Sequence, residues 1–362
     1  MQPPLGISNR PAAVFHFQRC YGASSSILNS FAGGKGSVRI KVFYHDKCFD
    51  GACSAALFTR FYRERIREHA QFEYHGLVHR AGALFNEADF TGDENAIVDF
   101  KYSSSPRITW WFDHHQSAFL TPEDASHFEQ EQSNTKFYDP DFRSCTRFIA
   151  VTAEQRFGFD PRPAAEMIEW AEIIDGALYD GPQAAVEVTA PATQLTMLIE
   201  SNQDPAFIPG LISKLAYQPL QQIVDEPAIA GRLPALMERH RRSIEIMRER
   251  ATCQDGTIFF DVTDHDLEGY NKFVPYYLHP HCTYSVGLSK SSFRTKVSVG
   301  SNPWATASYM ENLAKICERY GGGGHARVGA ISFPPDRFEE ARQAAQEIVA
   351  ELRASYRAHE RE

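Results

Sequence analysis

Short apolar runs rich in β-branched and aromatic residues recur between amphipathic stretches in the first two thirds of the chain. Residues 37–44 (SVRIKVFY), 96–98 (AIV) and 108–112 (ITWWF) have the length and composition of buried strands. Between them, residues 51–67 place Leu57, Phe58, Phe61 and Ile66 among polar positions, the pattern of a helix with one buried face. Residues 163–174 repeat it with Met167, Ile168, Trp170, Ala171 and Ile174. Strands alternating with helices predict an α/β fold with a mostly parallel sheet covered on both sides. Residues 185–230 read as helical segments broken by Pro191, Pro205, Pro209, Pro219 and Pro227.

A change of pattern follows. Leu233, Met237, Ile244 and Met247 fall at helical spacing in the charged segment 232–250, which predicts a linker helix. Beyond it, residues 257–262, 284–288, 296–299 and 328–333 are strand-like, and residues 311–319 are helical. A last helix is expected from Asp336, with Glu339 in position for a capping box. The organisation expected is a flexible leader at 1–36, a catalytic α/β domain at 37–231, the linker at 232–250, and a smaller α+β substrate domain at 251–362.

Composition narrows the function. With 362 residues, 43% of them hydrophobic, the chain can bury a sizeable core. Its net charge of -9 excludes the broad basic field that holds a protein on duplex DNA. Seven cysteines, odd in number and without C-x-x-C spacing, favour reduced thiols and a cytoplasmic protein over a disulfide framework. No apolar run approaches the roughly 20 residues of a membrane span.

The candidate chemistry lies where the predicted strands end. The first runs into His45-Asp46-Lys47-Cys48-Phe49-Asp50-Gly51, the second into Asp99, and the third into Asp113-His114-His115. Open α/β sheets place their active sites at the C-terminal ends of their strands. Imidazoles and carboxylates delivered there from three strands suit one metal centre. Taken singly, Asp99 is also a plausible helix cap, and Asp175, ending the helix of residues 163–174, is weaker still. In the second domain, Gly321-Gly322-Gly323-Gly324-His325 offers unobstructed backbone amides for a phosphate, and Arg294 and Lys296 could add charge. The other histidines, His79 among them, read as surface or core residues.

These motifs, in this order, resemble the DHH phosphoesterase superfamily, in the branch with a DHH-associated C-terminal domain carrying Gly-Gly-Gly-His. The likeness spans residues 37–333 and rests on His45-x-x-Cys48-x-Asp50-Gly51, Val98-Asp99, Asp113-His114-His115, Ile174-Asp175 and Gly322-Gly323-Gly324-His325. It implies two divalent ions, Mn2+ ahead of Mg2+. Asp99 would bridge them, His45 would serve one, and Asp50, His114 and Asp175 the other. Asp113 would orient His114, and His115 would face the substrate phosphate or the leaving oxygen. Gly322, Gly323, Gly324 and His325 would hold the far end of a nucleotide. Two departures stand out: Cys48 occupies a place the family commonly gives to a carboxylate, and Gly300 replaces a phosphate-binding arginine.

The implied reaction is hydrolysis of a phosphodiester in a short oligonucleotide, with water activated between the two ions. The partners expected are a short single strand or small nucleotide and, in a homodimer, a second copy of the chain, with neither duplex DNA nor a membrane. A cyclic-dinucleotide phosphodiesterase or a 3′-phosphoadenosine-phosphate phosphatase needs the same residues. A protein that only binds nucleotide does not need so complete a ligand set.

Overall fold

A computed structural model describes residues 37–359 apart from 80–83, 266, 268, 307 and 308. The expected leader lies outside the described residues. Five parallel strands form the first sheet: β1 (Arg39–His45), β2 (Gln71–Leu77), β3 (Glu94–Val98), β4 (Ile108–Asp113) and β5 (Lys136–Tyr138), in the order β2-β1-β3-β4-β5. Both faces are covered. Ile40, Val42, Val98, Trp110 and Phe112 enter one core, while Phe43, Ile97 and Trp111 enter the core on the opposite face. This explains why the strands read as continuous apolar runs rather than alternating ones. Both tryptophans find acceptors for their indole N–H, Trp110 at Glu94 and Trp111 at the Phe100 carbonyl, each at 2.9 Å.

The strand order reverses between β1 and β3, whose connections leave in opposite directions along the sheet. Such a switch point opens a crevice beyond the strand ends. Tyr44 pairs with Val98, and Val98 with Phe112, so the next residues on the three strands, His45, Asp99 and Asp113, arrive side by side at that crevice. The helix α1 (Phe49–Arg65) starts directly behind β1. A Cβ on Gly51 would come within 2.1 Å of the His45 carbonyl oxygen, so only glycine lets the helix begin so close to the strand. Packed beside α1 are α2 (Cys145–Phe157) and α3 (Ala165–Asp175).

Strand β2 was not legible in the sequence. Its residues, QFEYHGL, are mostly half-exposed at the sheet edge and lack the apolar run of the central strands.

The helix α4 (Leu233–Arg250) leads to a six-stranded mixed sheet of β6 (Thr252–Gln254), β7 (Thr257–Asp261), β8 (Tyr284–Lys290), β9 (Thr295–Ser301), β10 (Gly323–His325) and β11 (Val328–Phe333), ordered β10-β11-β9-β8-β7-β6. Only the β7–β8 pair is parallel. Its core is closed by α5 (Leu313–Glu318) and α6 (Phe338–His359). The last helix starts at Phe338 rather than Asp336, so Glu339 falls in its first turn and not three residues inside a cap at Asp336. A third apolar cluster joins Tyr179, Ala185 and Val186 to Met247, Phe260, Phe273 and Tyr276. Asn271 donates to the Ala185 carbonyl, and Trp304 to that of Tyr179, both at 2.8 Å.

The expectation of seven reduced thiols is corrected here. Cys253, on edge strand β6, is disulfide-bonded to Cys282 in the turn before β8. Twenty-nine residues separate them, and only the pairing of β6 along β7 brings them together. Among the described residues no helix is long and apolar enough to cross a membrane.

Candidate metal centre

Asp99 follows β3 with φ 57°, in the left-handed region, and its amide donates to the Phe112 carbonyl at 2.9 Å. Aspartate tolerates that conformation better than most residues. The twist turns its side chain into the crevice, where it is 1% exposed and neither carboxylate oxygen has a hydrogen-bond partner. His45 Nδ1 lies 3.3 Å from Asp99 Oδ2 and is equally unpartnered. On the other side His114 Nε2 stands 3.4 Å from Asp99, 3.5 Å from Asp175 and 3.8 Å from Asp50, and bonds to none of them. Buried polar atoms left unpaired are costly. Several of them aimed at shared points are the arrangement of a ligand set.

Three overlapping groups have ligand atoms within 4.8 Å of one another: His45, Cys48 and Asp99; Asp99, His114 and His115; Asp50, His114 and Asp175. Asp99 belongs to two of them. Their orientations are set from outside. His114 Nδ1 donates to the Phe142 carbonyl at 3.0 Å, which leaves Nε2 facing the carboxylates. Asp50 accepts from the Cys145 and Thr146 amides at 2.7 and 3.0 Å, so the N-terminus of α2 grips one of the candidate ligands. Asp175 is the last residue of α3, where the helix dipole disfavours a carboxylate and a cation would offset the cost.

The electrostatics follow from this crowding. Burial, reinforced by the charges of Asp99 and Asp175, pushes the Asp50 carboxyl well above its usual range. Burial and Asp99 raise Asp175 likewise. Burial works against the charged form of Asp99 too, but His114 and His45 outweigh it and hold the carboxyl well below the usual range. Desolvation lowers His114, yet Asp99, Asp50 and Asp175 overcome it and lift the imidazole to about 10. His115 is desolvated also, and Asp113 and Asp99 carry it to about 9.

No protein-family model matches the chain, and no curated protein sequence matches it. Solved structures do. A pGpG-specific phosphodiesterase, PggH from Vibrio cholerae, superposes with a TM-score of 0.62 at 17% identity, covering 88% of this chain and 99% of that one. The DHH domain of a member of the s1p family of ribosomal proteins matches with a TM-score of 0.55 at 13% identity, over 90% of this chain and 88% of that one. RecJ of Thermus thermophilus, in complex with Mn2+, matches with a TM-score of 0.50 at 13% identity, over 90% of this chain and 54% of that one. The chain has the DHH-domain fold.

Within that fold, His45, Cys48, Asp50, Asp99, Asp113, His114, His115 and Asp175 all meet in one crevice. One expected contact differs. Asp113 does not reach the His114 ring; its Oδ1 accepts from His115 Nδ1 at 2.7 Å and from the His114 amide at 2.9 Å. The two rings lie 4.5 Å apart and are held differently: Asp113 orients His115, and a backbone carbonyl orients His114.

The glycines of the second sheet are also less loop-like than expected. Gly323, Gly324 and His325 form edge strand β10 against β11. Lys296 lies on β9 two residues from Ser298, which is in register with Gly323 through Ala330. One strand beyond β10, across β11, run residues 298–300 of β9, with Val328 bridging His325 to Gly300. Arg294 is thus six residues back along the hairpin, about 20 Å away at strand rise.

Three residues of the DHH fold's crevice and sheet end were missed. His79, two residues past β2, lies 4.9 Å from the His45 ring and stacks on Phe100 at 4.7 Å. Burial and the neighbouring His45 and Lys101 lower it to about 4. Lys272, from the second unit, acts on Asp175 and on Glu200. Arg327 stands in the β10–β11 turn, where its carbonyl accepts from the Ser301 amide. None belongs to a recognisable motif. His79 follows the end of β2 by two residues, a signal lost with that illegible strand.

Proposed function

We propose that this protein is a divalent-metal-dependent phosphoesterase that hydrolyses phosphodiester bonds of short linear oligonucleotides or dinucleotides. The carrying observation is the set of buried, unpartnered ligand atoms on His45, Asp99 and His114, with Asp50 and Asp175 beside them. His45, Cys48 and Asp99 would hold one ion, and Asp50, His114 and Asp175 the other, with Asp99 between them. Bound divalent ions would polarise the phosphoryl group, lower the pKa of water and stabilise the departing oxygen. Manganese fits the oxygen and imidazole donors, and RecJ of the same fold is described with Mn2+.

The chain's own groups supply the rest. A carboxylate only accepts, so His115 Nδ1 donates to Asp113 and Nε2 is the ring nitrogen left for substrate. His115, held by Asp113, can contact the phosphate or, when protonated, give a proton to the leaving oxygen. Lys272 adds positive charge from the second unit, and the amides of Gly322–Gly324 would meet a further phosphate. The pGpG named for PggH supports a dinucleotide-sized substrate over duplex DNA.

The test is turnover of the full-length protein with Mn2+ on pGpG, a trinucleotide RNA, 3′-phosphoadenosine 5′-phosphate and a cyclic dinucleotide. Mononucleotide release from the linear chains, abolished by chelation, is expected. Preference for the cyclic substrate or the monoester would replace the substrate class, and no turnover on any of them with metal bound would refute the activity.

A further inference from the structure

The two halves of the centre are chemically unlike. Asp50, His114 and Asp175 offer only oxygen and imidazole nitrogen, whereas His45 and Asp99 are joined by the sulfur of Cys48 within 4.8 Å. Cys48 is the N-cap of α1, with extended backbone (φ -124°, ψ 134°), and it makes no side-chain capping hydrogen bond. Serine, threonine, aspartate or asparagine would serve that position better. The preceding Lys47 takes a left-handed φ of 55°, so the turn after β1 winds back and presents residues 45 and 48 to one place. What they face is Asp99, fully buried with both oxygens unpartnered.

We propose that Cys48 supplies a thiolate ligand to the ion held by His45 and Asp99, so that this position retains Zn2+, Co2+ or Fe2+ in preference to Mn2+ or Mg2+. The other position, built of hard donors, keeps the Mn2+ or Mg2+ preference, and the resting centre is a mixed pair. On binding, the S–H bond breaks, sulfur donates to the ion and one proton passes to solvent. The inference rests on the two-ion reading of the preceding section.

The thiol separates it from that reading in experiment. Full-length protein, stripped with a chelator and handled anaerobically without added thiol so that the Cys253–Cys282 disulfide stays closed, is titrated with Co2+. A near-ultraviolet sulfur-to-cobalt charge-transfer band should grow to saturation at about one ion per chain. Cys53, Cys145 and Cys317 are buried, Cys253 and Cys282 are joined in a disulfide, and none stands in a ligand group, so Cys48→Ser should abolish the band while visible cobalt bands persist. Serine is a favoured N-cap, which keeps α1 intact. Cys48→Asp, the second variant, should lose the band and bind Mn2+ about tenfold tighter as a hard ligand replaces a soft one. No band in the wild type at saturating Co2+, or a band that survives in Cys48→Ser, overturns the proposal. Hydrolysis is assayed on the same samples. A band without hydrolysis of any substrate upholds the ligand and removes the phosphoesterase reading; hydrolysis without a band does the reverse.

Discussion

Asp99 carries two demands that pull in different directions. Its backbone sits in the left-handed region, and its carboxylate is buried beside Asp50 and Asp175. Asparagine keeps the backbone tolerance and removes one repelling charge. It also removes the charge that His114 and His45 hold, so Asp99→Asn should melt lower than wild type without metal, bind Mn2+ at least tenfold more weakly and lose hydrolysis. Alanine lacks the left-handed tolerance, so Asp99→Ala should unfold about 1 kcal/mol more easily than Asp99→Asn in chelator, read by urea titration. The neighbouring imidazoles predict a pH effect. His114 and His115 are raised from 6.5 to about 10 and about 9, so the folded state holds protons that the unfolded state releases. Their stabilisation is complete below the unfolded pKa and is lost as pH rises through the folded values. Metal-free protein should lose stability between about pH 7 and 10. His114→Gln should flatten that slope in denaturant titrations.

At the scale of elements, helix ends hold the centre. Asp50 receives two buried amides from the start of α2, so it serves the fold as well as any ion. Asp50→Ala should cost about 3 kcal/mol in urea unfolding even with chelator present, because charge-assisted bonds are lost and two helix amides are orphaned. Asp175 ends α3 instead, and removing a carboxylate from the negative end of a helix should change metal-free stability by less than about 0.5 kcal/mol. Equal losses in the two variants would contradict this division. The glycine strand separates in the same way. A Cβ at Gly323 meets nothing within 4 Å, whereas at Gly324 (φ 151°) it would meet the Val328 oxygen at 2.2 Å. Gly323→Ala should fold like wild type and weaken only substrate affinity, while Gly324→Ala should lower the melting temperature as well.

For the whole molecule, two sheets with separate cores are joined by an apolar cluster around Tyr179, Phe273 and Met247. The ring centroids of Phe273 lie 5.6 Å from Tyr179 and 5.5 Å from Trp304, which makes Phe273 the centre of the joint. Phe273→Ala should split calorimetric melting into two transitions. Saturating Mn2+, at about 100 times its dissociation constant, should then stabilise only the transition of the first unit, by about 2.7 kcal/mol. A single transition that moves as a whole would show that the remaining contacts suffice for coupling. The joint also brings Lys272 toward Asp175, so a loosened interface should raise KM more than it lowers kcat.

The sequence alone determined the parallel sheet, because a strand buried on both faces must be apolar throughout, and ITWWF and KVFY show that directly. It determined the candidate ligands for a related reason: charged residues that end such strands have few uses other than a site. Edge strand β2 escaped it because half-exposed positions impose no pattern, and His79 escaped with it. Only the tertiary structure decided which imidazole each partner holds, since the His114 ring is fixed by the Phe142 carbonyl, 28 residues away in sequence. Spatial register likewise separated Arg294 from His325 and joined Cys253 to Cys282. Spacing in sequence carries the period of one strand or helix, whereas contacts between elements depend on strand order and domain packing.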